Sequence, residues 1–419
     1  MTNEISTLKQ AILLLTSHFS KSDTNGFSPL TNTEWKKFAS WLHEHGLTPE
    51  HLLINDPKEI LANWQDPKIT LERITALLNR GHSLALALEK WQRAGIWVIT
   101  KSDPEYPQRL RQHLKASSPP VLFGCGNPQL LDMGGLAVVG SRNASAEDLL
   151  YTENIGKKAA DEEIAIVSGG ARGVDETAML STINHHGVTI GIMADSLLRA
   201  ATSQKWRQGL MNNRCVLISP FYPEAGFNSG NAMARNRYIY CLSDAALVVH
   251  SGKKGGTWSG AEENLRHQWV PLWVKPNNDL TSANTDFLKK GGLLFNENIP
   301  FKQILTVKST HNEMQIDLFA APDETSIEAA PIINHHEESN TQTESYSFKT
   351  ANISYNVDFY KLFLEELPKL TQEAITLDIL KERTNLSKTQ LTEWLKLALE
   401  QGVVTKLAKP VRYITSSHS

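Results

Sequence analysis

The sequence predicts an α/β fold: a doubly wound parallel sheet, with a helical domain ahead of it and a winged-helix domain behind it. Three observations carry this. Between residues 136 and 295, short apolar runs alternate with helical stretches, the pattern of a parallel sheet covered on both faces. Several of those runs lead straight into a glycine-rich or cation-rich loop, as at the carboxyl edge of an extended Rossmann-like sheet, where ligands bind. The flanks differ in texture. Residues 1–95 carry apolar residues at three- and four-residue spacing, and 353–415 read as three helices followed by two short β runs.

Taken in order, helices are expected over 35–43, 49–53, 69–78 and 84–91, with no repeat and no catalytic constellation among them. Asp103-Pro104-Glu105-Tyr106-Pro107 is a turn, and Pro119-Pro120-Val121-Leu122-Phe123-Gly124 an extended lead-in to the next domain. Core strands are expected over 136–139, 164–168, 188–193, 216–219, 245–250 and 270–274. Residues 311–349 are rich in Glu, Asp, Ser, Thr, Asn and Pro, which reads as a solvated, disordered linker. His335-His336 within it has no further ligands at useful spacing, so no metal site is expected. Helices over 360–367, 374–385 and 388–402 then precede β runs at 403–407 and 411–414 around Lys409-Pro410, with Ser387 as N-cap of the third helix. That helix mixes Glu393 and Glu400 with Lys388 and Lys396, which favours a protein contact over duplex DNA.

Composition bounds the function. With 419 residues, 41% hydrophobic and 21% charged, the chain has room for two or three ordinary globular domains. No apolar run reaches the roughly 18 residues of a membrane span, and the first residues lack a signal-peptide core, so a cytoplasmic protein without a membrane partner is expected. Cys125, Cys215 and Cys241 are far apart and in no metal-ligand spacing. A net charge of −3 leaves any nucleic-acid binding to a local patch.

Such a patch is written into the loops. Ser168-Gly169-Gly170-Ala171-Arg172-Gly173-Val174-Asp175 follows an apolar strand and opens a helix. Unpaired amides and the positive helix end meet there, which suits phosphate. Asp175 is free in this reading to cap that helix or to orient Arg172. Gly140-Ser141-Arg142 follows the first strand and offers a turn, a hydroxyl and a bidentate guanidinium. After the fourth strand, the loop over 220–233 leads into Arg235-Asn236-Arg237. After the fifth comes Lys253-Lys254-Gly255-Gly256-Thr257-Trp258, with two cations and an aromatic surface. All four loops are expected on one sheet edge. Several cations and aromatics on one rim suit single-stranded nucleic acid, with a single nucleotide as the compact alternative. No Ser-His-Asp or Cys-His arrangement and no paired carboxylates accompany them, so no catalysis, cofactor or metal is expected.

The same motifs carry a resemblance. The Ser168 to Asp175 turn, Val138-Val139-Gly140-Ser141-Arg142, Arg235-Asn236-Arg237 before Leu242-Ser243, and Gly255-Gly256-Thr257-Trp258 resemble, in order, the DNA-processing protein A (DprA/Smf) family. The lead-in Tyr106-Pro107-Gln108-Arg109-Leu110 through Gly124 resembles that family's approach to the same domain. Ser219-Pro220, the Gly-Gly-Thr-Trp loop and the polar stretch 275–286 depart from its commoner pattern and mark a divergent branch. The resemblance implies a SAM-like helical domain over 1–97, a Rossmann-like domain over 98–310, an acidic linker over 311–350 and a winged helix over 351–419. It implies a homodimer that binds and protects single-stranded DNA and loads the RecA recombinase onto incoming strands during natural transformation. The phosphate-binding positions it carries over are Gly169, Gly170, Arg172 and Gly173, then Gly140, Ser141 and Arg142, then Arg235 and Arg237. Ser168, Asn236, Lys253, Lys254, Gly255, Gly256 and Thr257 complete the expected rim.

Two other readings stand beside it. One is a sensor of a signalling nucleotide in phage defence, using the same rim. The other is a nucleotide phosphoribohydrolase-like enzyme, for which Glu262-Glu263 would supply the carboxylate.

Overall fold

A computed structural model describes residues 5–20, 26–277, 282–307, 359–384, 386, 388–408 and 411–415. The expected linker, His335-His336, Ser387 and Lys409-Pro410 lie outside the described residues. The chain divides into two compact units, Met1–Leu318 and Phe319–Ser419.

The first unit is built on a nine-stranded sheet: β1 (Trp97–Thr100), β2 (Val121–Gly126), β3 (Leu136–Val139), β4 (Ile166–Ser168), β5 (Thr189–Ile192), β6 (Cys215–Ser219), β7 (Ala245–Val248), β8 (Leu272–Val274) and β9 (Leu293–Leu294). Their spatial order is β1-β2-β6-β5-β4-β3-β7-β8-β9. From β6 to β9 every pairing is parallel. Strands β3 to β7 are buried on both faces, which is why they read as continuous apolar runs. Alternate residues serve opposite cores: Leu136 and Val138 pack on one face, Ala137 and Val139 on the other.

The sheet departs from the all-parallel expectation at one edge. β2 runs antiparallel to β6, and β1 antiparallel to β2. The lead-in read as an extended segment is a strand of the sheet. Glycines masked it. A Cβ on Gly124 would lie inside the Trp97 ring, and the Trp97 indole N–H donates to the carbonyl of Gly126 at 2.9 Å. Gly124 makes room for an aromatic from the neighbouring strand, while Gly126, at φ 86°, abuts the Cys215 carbonyl and accepts the indole bond.

Chain growth reverses at β3. Strands β4, β5 and β6 extend the sheet to one side, and β7, β8 and β9 to the other. This switch point puts the loops after β3, β4 and β7 together at the carboxyl edge. Helix Ala146–Asp161 packs closely on helix Val174–Asn184 there, because Gly156 brings its backbone against the Ala178 carbonyl.

The helical front belongs to the same unit. Helices Thr7–Thr16, Asn32–Glu44, Leu71–Leu78 and Gly81–Arg93 surround a core continuous with one sheet face. Trp91, fully buried, packs edge-on against Phe123 of β2 at 5.0 Å. The Arg80 side chain, also buried, donates to the Leu14 and Ser17 carbonyls at the end of the first helix. The boundary expected near residue 97 therefore falls inside one core. No helix among the described residues is long and apolar enough to cross a membrane.

The second unit has helices Phe359–Leu370, Leu377–Thr384 and Lys388–Glu400, then an antiparallel pair, β10 (Val404–Leu407) and β11 (Arg412–Thr415). Phe363, Leu367, Leu380, Leu391, Leu395 and Tyr413 form its core. Ile375 bridges to Tyr413 and so ties the segment between the first two helices to the hairpin.

Candidate functional site

At the switch point the four expected loops meet around a cleft of about 480 Å³, lined by Gly140 to Asn143, by Phe227, Met233, Arg235, Asn236 and Tyr240, by Gly252 and Lys254 to Thr257, and by Ala171 and Asp175. A second chamber of about 400 Å³ adjoins it, formed by the turn after β4 with Ala194, Asp195 and Lys205. The Arg142 guanidinium stacks on the Phe227 ring at 4.8 Å, and both residues line both chambers.

Close backbone approach builds the floor. Gly140 is pressed against Val174, whose Cγ2 would lie 2.5 Å from a Cβ there. Gly173, with φ of 92°, abuts the Ser141 carbonyl. Gly170 (φ 61°) and Gly255 (φ 105°) also hold left-handed conformations that favour glycine. Helices Val174–Asn184 and Gly256–His267 both begin after such a glycine, and neither has a side-chain cap. Their positive dipole ends face the cleft region, although in the first of them the Val174 and Glu176 amides already donate to the Ser141 and Ala171 carbonyls.

The structure sorts the expected residues by what holds them. Arg142 is exposed, and its neighbour Ser141 accepts from the Asn143 amide at 3.0 Å. Arg172 donates to the Asn143 side chain at 2.6 Å and lines the second chamber. Lys254 lines the first; Lys253 is exposed but lines neither. Asn236 donates to the Gly256 carbonyl at 2.9 Å and holds the glycine turn. Two hydroxyls expected to meet phosphate are committed inside the fold. Ser168 is fully buried and donates to the Val138 carbonyl at 2.6 Å. Thr257 donates to the Gly140 carbonyl at 2.9 Å and ties the β3 and β7 loops together.

The arginine pair separates. Two residues along a helix turn through about 200°, so Arg235 and Arg237 face different neighbours. Arg237 pairs with Glu263 at 3.1 Å and does not line the cleft. Arg235 lies under the floor, 3% exposed, and its guanidinium occupies the place a Cβ of Gly169 would take. Its ion partner is Asp175, at 3.7 Å. Asp175 therefore neither caps its helix nor orients Arg172. Burial pushes the Asp175 carboxyl above its usual range, although Arg235 and the Gly140 and Gly169 amides pull the other way. The same burial lowers the proton affinity of Arg235 from its ordinary value, with Asp175 opposing. Arg235 Nε and Nη1 have no hydrogen-bond partner, which leaves charged donors unsatisfied at the base of both chambers.

Trp258 does not offer the expected aromatic surface. Its ring stacks on Phe287 at 4.8 Å, and Lys290 sits over it at 4.5 Å. The exposed aromatic is Phe227, at 58%. The sequence reading passed over it inside the loop 220–233. Its only signal was a large apolar residue in a stretch of Gly, Asn and Ser. Glu262 and Glu263 point away from the cleft, held by Lys290 and Arg237. Among the described residues, no group of three or more His, Cys, Asp or Glu is placed to hold a metal ion.

Beside the cleft, Asp148 caps helix Ala146–Asp161 through a box with Ser145 and accepts from Lys275 at 2.7 Å. Burial opposes its charge, but hydrogen bonds from Lys275 and Ser145 and the charges of Lys275 and His250 outweigh that and keep the carboxyl below its usual range.

Residues 97–298 match the model of the family described as DNA recombination-mediator protein A. DNA processing protein DprA of Bacillus subtilis is 29% identical over 184 residues, which are 43% of this chain and 61% of that protein. The chain thus spans about three-fifths of the length of that curated relative. DNA processing protein A of Streptococcus pneumoniae superposes with a TM-score of 0.49 and 21% identity, over 64% of this chain and 95% of that one. The same protein of Helicobacter pylori, solved in a study of its single-stranded DNA binding mode, gives 0.42 and 24%, over 51% and 95%.

Proposed function

Because the chain is a divergent member of the DNA-processing protein A (DprA/Smf) family, we propose that its cleft binds single-stranded DNA without turnover. The observation that carries this reading is one cleft holding an exposed aromatic, Phe227, under the Arg142 guanidinium, beside Arg172, Lys254 and the positive ends of two helices that lack side-chain caps. A phosphodiester chain needs cations and amides and its bases need an aromatic face, and a single strand presents both together where a duplex hides its base faces.

In the fuller form of the proposal, a homodimer in the cytoplasm protects incoming strands during natural transformation and loads the RecA recombinase onto them. The second unit, with three helices and a hairpin, is read as a winged helix that contacts protein. Glu393 and Glu400 on its third helix support that over duplex binding.

Fluorescence anisotropy with labelled single-stranded and duplex oligonucleotides across a salt series tests the binding. The expected result is a preference for single strands, with log K falling steeply with log salt. Arg142→Ala and Arg172→Ala should each cost about 1–3 kcal/mol, the loss of a charge-assisted contact. Each should also flatten the salt slope by about 0.7, the share of one phosphate on a single strand. Unchanged affinity in both variants would refute this use of the cleft. Arg235→Ala is a poor probe, because it strands Asp175 in the floor.

The compact chambers favour one alternative, a free nucleotide as ligand. Calorimetry with mononucleotides separates the two, since a sensor would bind the nucleotide at least as tightly as the strand. A phosphoribohydrolase has less support, with Glu262 and Glu263 both ion-paired away from the cleft.

A further inference from the structure

We propose that the second chamber selects guanine, with Asp195 accepting from the N1–H and N2–H edge of the base. This rests on the reading of the cleft as a strand-binding site and names which base that site prefers.

The Arg142–Phe227 stack divides the cleft, and the chamber behind it is a built space of about 400 Å³. An independent feature marks it for a ligand. The Arg235 side chain, 3% exposed, lines this chamber with Nε and Nη1 lacking hydrogen-bond partners. Asp175 balances the charge at 3.7 Å, too far for a hydrogen bond to those donors, so hydrogen-bonding capacity remains for an anionic ligand. Arg172 and the Gly170 turn stand on the same wall and offer further contacts to phosphate. Phe227 offers a face on which a base can stack.

Two carboxylates share this cationic chamber, and they differ. Glu176 is held by Lys205 at 2.8 Å. Among the described residues Asp195 pairs with Arg199, four positions on, at 3.7 Å, an arrangement worth little at this exposure, and its charge also favours the buried Arg235 guanidinium. An acceptor left open beside a phosphate site repels the phosphate. It contributes to binding only if the rest of the ligand brings donors.

Among the bases, guanine presents two adjacent N–H donors on one edge, which match a carboxylate bidentately. Cytosine and adenine set one amino group beside an acceptor nitrogen. Thymine sets one N–H between two carbonyl oxygens, which the carboxylate repels. The expected order is therefore guanine first and thymine last.

The test uses the full chain and its Asp195→Asn variant with labelled d(GT)6, d(CT)6 and dT12 of equal length, together with GMP and TMP as competitors. The native protein should bind d(GT)6 roughly tenfold tighter than dT12, with d(CT)6 between, as a bidentate base contact provides. The variant should bind all three nearly equally, and dT12 more tightly than the native protein does, because the charge that repels thymine and phosphate is gone. Asp195 is half-buried and held by a weak exposed pair, so an unchanged melting temperature should confirm that the variant folds. Equal affinity of the native protein for the three strands overturns the proposal, as does a guanine preference that survives in the variant. If no strand binds but GMP does, with its advantage over TMP lost in the variant, the strand reading fails and guanine selection stands. If neither strand nor nucleotide binds, both are overturned.

Discussion

Gly169 shows how one absent side chain sets the cleft floor. Its Cα lies against the Arg235 guanidinium, and a methyl group there would share its space. Gly169→Ala should force Arg235 away from Asp175 and cost about 1–3 kcal/mol of stability, as overpacking does. Thermal unfolding checks this, and a melting temperature equal to the native one would refute it. At this scale the sequence exposed residue types but not their partners. Arg235 and Arg237 are equivalent in a string, yet one is interred with Asp175 and the other pairs with Glu263 on the neighbouring helix. Ser168 and Thr257 looked like phosphate donors, and their hydroxyls close carbonyls of the β3 strand and its loop instead. Which face of a strand or helix is inward depends on packing, and no short motif states it.

Among the elements, helix Asn32–Glu44 is defined by its first turn. Thr31 and Glu34 form a reciprocal capping box, and Arg73 pairs with Glu34 at 3.0 Å. The Arg73 hydrogen bond, with those from Thr31, overcomes partial burial and holds the Glu34 carboxyl at about 2, against an ordinary 4.5. The folded value lies below the unfolded one, so this stabilisation is complete above about 4.5 and is lost as the pH falls toward 2. Glu34→Gln should therefore lower stability by about 1 kcal/mol near neutral pH. The difference from the native protein should shrink across that acid window. Chemical denaturation at a series of pH values reads it, and a pH-independent difference would assign the effect to packing. Most strands of the parallel sheet were legible because burial on both faces leaves unbroken apolar runs. The antiparallel edge was not, since Gly124 and Gly126 serve the Trp97 ring and dilute the strand signal.

For the whole molecule, the helical front and the sheet are one object. Trp91 is buried between Phe123 and Tyr222, with ring centroids at 5.0 and 6.3 Å, and the helical core continues into one face of the sheet. Residues 97–307 expressed alone should melt at a lower temperature than the full chain and bind a hydrophobic dye, because that sheet face is uncovered. An unperturbed fragment would show that the front is a separable domain. The family match begins at residue 97, so the boundary of sequence similarity and the boundary of the hydrophobic core differ.

The sequence by itself determined the alternation of buried strands and helices, the four loops that gather at one edge and their excess of cations and glycines. These are local properties, fixed by periodicity and by backbone conformations few residues can adopt. Tertiary structure decided which cations remain available. Burial sent Arg235 under the floor, helical phase turned Arg237 aside, and Phe287 and Lys290 covered Trp258. It also placed Phe227 and Asp195 in the cleft. Contacts between segments distant in the chain made those choices, because they set the exposure and pairing of every side chain at the site.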